Sequence, residues 1–79
     1  MKNELVLISG KELKDIVKSL GFTYFNGYKF YLTEEDLSKL EDNRTYVMFV
    51  KYGMLFVKPL YAGKSVIVKK GEKVPKKRT

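Results

Sequence analysis

Thr45–Lys58, TYVMFVKYGMLFVK, alternates through two runs joined by Tyr52-Gly53. If that pair is a two-residue turn, Met48, Val50, Leu55 and Val57 fall on one side of a hairpin, a wholly apolar face that calls for burial. The other side carries Val47, Phe49, Lys51, Met54, Phe56 and Lys58. Two rings paired across strands with lysines at both ends admit two readings. Either Phe49 and Phe56 are also core, packed under helices with Lys51 and Lys58 reaching out at the rim, or they are an exposed platform where rings stack on bases and ammonium groups meet phosphates.

Downstream, SVIVKK (Ser65–Lys70) follows Pro59–Gly63 and supplies a third strand, so the region from Thr45 reads as a β-meander. Upstream, FTYFNGYKFY (Phe22–Tyr31) predicts a second hairpin. Both central residues of a type I′ turn need positive φ, and Asn26-Gly27 meets that need. The register then sets Phe25, Tyr28, Phe30 and Leu32 on one face, and Phe22, Tyr24, Lys29 and Tyr31 on the other.

Two helices are expected. Ser9-Gly10-Lys11-Glu12 fits a capping box, and Leu13, Ile16, Val17 and Leu20 follow at helical spacing up to Gly21. Thr33 caps a second helix whose first turn, Glu34-Glu35-Asp36, favours the helix dipole; Leu37 and Leu40 face the core and Asp42-Asn43 ends it. With Glu4–Ile8 as a first strand, the order is β-α-β-β-α-β-β-β. The expected class is α+β: one small domain over 1–70, with two short helices on a mainly antiparallel sheet. Residues 71–79 read as a basic, flexible tail, since Gly71 and Pro75 punctuate a polar run.

The charge is unevenly placed. Residues 1–42 hold six lysines against eight acids, a balance of −2, whereas residues 43–79 hold ten Lys/Arg against Glu72 alone, a balance of +9. A concentrated positive field attracts phosphate polymers. With neither cysteine nor histidine among the 79 residues, disulfides, the usual zinc ligand sets and the common nucleophile–base pairs are unavailable. A non-enzymatic protein without a cofactor is therefore expected. Glutamine and tryptophan are missing too, and with abundant lysine and glutamate this is a composition of thermophilic, archaeal proteins. Only Leu5–Ile8 is apolar near the start, so neither a signal peptide nor a membrane span is read, and a cytoplasmic location is expected.

Two motifs are set aside. Ala62-Gly63-Lys64-Ser65 matches the end of a phosphate-binding loop, but Lys58 stands where the pattern needs glycine and a strand follows instead of a helix. Glu34, Glu35 and Asp36 do not converge on one metal ion, because consecutive helical residues point about 100° apart.

Nucleic acid, RNA or DNA, is thus the expected partner, with RNA or single strands favoured. Phosphates would be neutralised by Lys29, Lys51, Lys58, Lys64, Lys69, Lys70, Lys73, Lys76, Lys77 and Arg78. Tyrosines suit exposed stacking because the hydroxyl stays wet while the ring lies on a surface. Tyr24 and Tyr31, flanking Lys29, lead that group, with Tyr46, Tyr52 and Tyr61 behind them. The alternative is a protein-interaction module or small archaeal-virus accessory protein, with a homodimer formed through exposed strand edges.

Overall fold

The computed structural model of the chain describes residues 5–61 and 63–74. Along it run β1 (Val6–Ser9), α1 (Gly10–Leu20), β2 (Thr23–Phe25), β3 (Tyr28–Phe30), α2 (Glu34–Leu37), β4 (Thr45–Lys51), β5 (Met54–Pro59), β6 (Ile67–Lys70) and β7 (Glu72–Lys73). The class is α+β, as the order of elements predicts. Every strand pair is antiparallel.

Both hairpins form in the expected register. Asn26 and Gly27 take φ of 53° and 85°, and Tyr52 and Gly53 take 56° and 72°. Thr23 then faces Phe30 and Phe25 faces Tyr28, while Phe49 faces Phe56. Each pairing follows from a two-residue turn with no long-range information.

The single sheet expected from the sequence is instead two, ordered β1-β4-β5-β6 and β2-β3-β7. The strand that completes the second sheet lies where a free tail was expected. Glu72 pairs opposite Lys29 and Lys73 opposite Tyr28, so the folded part continues past Gly71. An acid directly across from a lysine is a favourable cross-strand pair. Gly71 makes the crossing from β6 to β7 because the chain runs against the buried Phe30 ring, where a Cβ would collide. Pro75 to Thr79, with Lys76, Lys77 and Arg78, lie outside the described residues.

One face of the four-stranded sheet builds the core. Ile8 and Tyr46, then Met48, Val57 and Ile67, then Val50 and Leu55 point inward in register. Leu13 and Val17 of α1, Phe30 and Leu32 after the hairpin, and Leu37 and Leu40 at α2 join them. The apolar face read from Thr45–Lys58 is therefore buried as expected. Three details differ. Leu20, the last member of the α1 stripe, is exposed at the helix end. α2 stops at Leu37 and continues to Leu40 as tighter i→i+3 turns, short of Asp42-Asn43. Tyr46, a candidate for surface stacking, is buried, and its hydroxyl accepts the Glu41 N–H at 2.9 Å. Inward alternation in β4 fixes that side, and the hydroxyl has a partner that makes burial affordable.

Capping is divided between the helices. Ser9 Oγ accepts the Glu12 N–H at 3.1 Å at the start of α1. The reciprocal box is complete at α2, where Thr33 Oγ1 accepts the Asp36 N–H and Thr33 N–H donates to Asp36 Oδ2. Ser9→Ala is expected to cost about 1 kcal/mol through the lost cap. An unfolding midpoint in urea equal to that of the wild type would show the Ser9 bond to be dispensable.

Asp36 also ties α2 to the sheet, since its Oδ2 lies 2.8 Å from Lys69 Nζ with both side chains largely covered. Burial works to raise its carboxyl pKa, but the hydrogen bonds from Lys69 and Thr33 outweigh burial and hold it below the ordinary carboxylate value. A lowered folded-state pKa contributes stability that is complete above the unfolded value, about 3.9, and is lost as pH falls through the folded value. Wild type is expected to be more stable than Asp36→Asn at neutral pH, with the gap closing below about pH 4. Thermal melts of both proteins across that range check this; a gap constant with pH would remove the carboxylate from the account.

Candidate nucleic-acid interface

The inward face of the four-stranded sheet is covered by both helices and the first hairpin. Its outward face is not. Alternation places Leu7 beside Val47 and Lys58, Phe49 beside Phe56 and Val68, and Lys51 beside Met54 and Lys70. Leu5, just before β1, is 69% exposed, Leu7 62% and Val68 48%. Phe49 and Phe56 stand in the middle, half-buried, their rings stacked at 5.2 Å with planes 7° apart. Of the two sequence readings, the rings under helices is overturned: the helices pack on the opposite face, so these rings remain at the surface.

Charge divides along the same face. Lys51 and Lys70 are exposed at one end, and Lys58 is exposed four residues along β5, about 13 Å away. Among the described residues no carboxylate occupies an outward strand position of this sheet. The acids sit elsewhere, and several hold cations there: Asp15 holds Lys11 at 3.2 Å, Asp42 holds Lys14 at 2.7 Å and Glu41 holds Arg44 at 3.3 Å. The Lys14 ammonium, through its hydrogen bond and its charge, keeps the Asp42 carboxyl below its ordinary pKa.

The other sequence-derived residues are scattered relative to this face. Lys69 points inward, to Asp36, because period-two alternation in Ile67–Lys70 turns Val68 and Lys70 outward. Lys64 is exposed in the loop before β6, and Lys73 lies on β7 in the second sheet. Tyr24 and Tyr31 are exposed on the outer face of the hairpin, as expected. Between them Lys29 lies over three rings, 4.4 Å from the centre of Phe22, 5.1 Å from Tyr31 and 5.9 Å from Tyr24. The Tyr31 side chain beside it holds the Lys29 ammonium above the ordinary lysine value, against the opposing effect of desolvation, and Tyr24 and Glu72 act in the same direction as Tyr31. This cation already lies over three rings, so it has less to gain from a phosphate.

Leu5, Leu7 and Val68 were not among the residues read from the sequence as a site. Their alternation is visible in LVLIS and VIVKK, but the pairing that sets them beside Phe49 and Phe56 is long-range. A shallow groove lined by Tyr24, Lys29, Glu72, Lys73 and Val74 adjoins the hairpin face. No helix among the described residues is long and apolar enough to cross a membrane. No family model, no curated protein and no solved structure matches the chain.

Proposed function

We propose that the protein binds single-stranded nucleic acid, RNA or DNA, across the outward face of the four-stranded sheet. One observation carries the reading: an apolar and aromatic face that the described helices and first hairpin leave uncovered, with the half-buried Phe49 and Phe56 at its centre, has lysines at both ends and no acid among its described strand positions. Such a face matches both halves of a single strand. Unpaired bases bring flat apolar surfaces for the rings and aliphatic side chains, and the backbone brings phosphates for Lys51, Lys58 and Lys70. The terminal Lys76, Lys77 and Arg78 add positive charge by composition. Duplex recognition through a helix is disfavoured, because the lysines Lys11 and Lys14 of α1 are paired to acids and α2 opens on three acids.

The exposed Leu5 and Leu7 favour a second reading, a homodimer in which two outward faces pack as a sandwich. Lysines at both ends and no facing carboxylate count against it, since a second copy brings like charges together.

The test is fluorescence anisotropy with labelled single-stranded RNA and DNA oligonucleotides, and the corresponding duplexes, from about 50 to 200 mM salt. Single strands should bind in preference to duplex, with log affinity falling linearly in log salt. Absence of binding at the lowest salt, together with a dimer mass by light scattering, would overturn the reading in favour of self-association.

A further inference from the structure

The molecule contains the same tight turn twice. Asn26-Gly27 and Tyr52-Gly53 each join two strands with both central residues at positive φ, 53° and 85° in one and 56° and 72° in the other. Asparagine at the first central position is what such a turn favours, because its short side chain tolerates the left-handed region. Tyrosine is not: a bulky L-residue there is crowded against its own backbone, and positive φ for such a side chain is an outlier. The second hairpin thus forms in spite of the side chain at its tip.

That side chain does not serve the core. Tyr52 is 89% exposed, more than any other large apolar or aromatic residue described. Its ring meets the Lys51 ammonium, 5.5 Å from the ring centre. Lys51 belongs to the row of the outward face that also holds Met54 and Lys70. A ring is therefore projected into solvent at the end of the proposed binding face, next to its cations, at a conformational cost to the turn. Strain that persists without a packing reason is characteristic of functional positions.

We propose that Tyr52 is a base-stacking residue of the single-strand site, with Lys51 and Lys70 beside it to meet the flanking phosphates. The inference rests on the proposed function and extends it, assigning a specific contact at one end of the face. Stacking on an exposed ring tolerates any base, so the contact adds affinity without sequence preference.

Opposite signs in stability and binding make it testable. Tyr52→Asn restores the turn residue found at Asn26, so the thermal midpoint should rise, by about 4 °C or more. The same variant should bind a labelled single-stranded oligonucleotide about 5- to 100-fold more weakly. Its salt dependence should be unchanged, because no charge is removed. Tyr52→Phe should keep both the wild-type midpoint and most of the affinity. Tyr52→Asn binding as tightly as the wild type would overturn the inference alone, provided the wild type binds with a lysine-dependent salt slope. A midpoint that falls in Tyr52→Asn would show the ring serving the fold, and Tyr52→Phe binding as weakly as Tyr52→Asn would assign the effect to the hydroxyl; either result overturns stacking. A wild type that binds no oligonucleotide overturns the proposed function and this inference together.

Discussion

Substituting Lys51→Gln, Lys58→Gln and Lys70→Gln together is expected to weaken single-strand binding about 100-fold at 0.1 M salt. Each phosphate contact on a single strand contributes about 0.7 to the slope of log affinity against log salt, so three lost contacts make the slope shallower by about 2. The three side chains are exposed on the outward face, so the fold should be little affected. The loss should be nearly the same for every base sequence, since phosphate contacts position a ligand without specifying it. Lys69→Gln supplies the contrast. That ammonium sits on Asp36, so its removal should lower stability and leave the salt slope alone. Anisotropy titrations at several salt concentrations check both. A triple variant with the wild-type slope would take the outward face out of the binding site, and a Lys69→Gln slope shallower than wild type would show that its ion pair opens to bind.

Gly10→Ala is expected to destabilise the protein by about 2 kcal/mol, a fall in midpoint of roughly 10 °C. Helix propensity alone predicts the reverse, because alanine outranks glycine by up to about 1 kcal/mol inside a helix. Steric crowding decides the sign. Gly10, the first residue of α1, is buried, and a Cβ there would run into the backbone carbonyl of Glu41. Neither partner is free to move. Gly10 N–H donates to the Arg44 carbonyl at 3.0 Å and Lys11 N–H to the Asp42 carbonyl at 3.2 Å, so the loop caps the open end of the helix. The Tyr46 hydroxyl holds the Glu41 N–H, and Lys14 holds the Asp42 carboxylate. Overpacking against a fixed backbone costs about 1–3 kcal/mol, more than the propensity gain. A urea midpoint equal to or above that of the wild type would show that the 41–44 loop yields.

The glycine also marks a limit of reading by pattern. Ser9-Gly10-Lys11-Glu12 is legible as a helix start, and Ser9 does cap it, but nothing in those four residues shows that a loop some thirty positions later lies against Gly10. The candidate face was legible to a similar extent. Alternation in Thr45–Lys58 separates Phe49, Phe56, Lys51 and Lys58 from the apolar set, yet it does not tell which of the two sides the helices cover. The tyrosines divide for the same reason. Tyr24 and Tyr31 are set outward by the local Asn26-Gly27 turn, whereas Tyr46 is drawn inward by the face on which α1 and α2 pack.

What the sequence determined by itself is what is settled within a few residues: two tight turns with their registers, two capped helix starts, and the division of each strand into two faces. These follow from backbone sterics, caps and a period of two, all of which act locally. Which faces meet was set by the packing of the whole chain. It paired β1 with β4 and so brought Leu7 to the outward surface, drew Glu72 across to Lys29 to split the strands into two sheets, and turned Lys69 inward onto Asp36. Each of these joins residues more than thirty positions apart. A contact of that kind is selected by the burial of the whole core, where both helices and the hairpin compete for one side of the sheet, and no short stretch of the chain carries that sum.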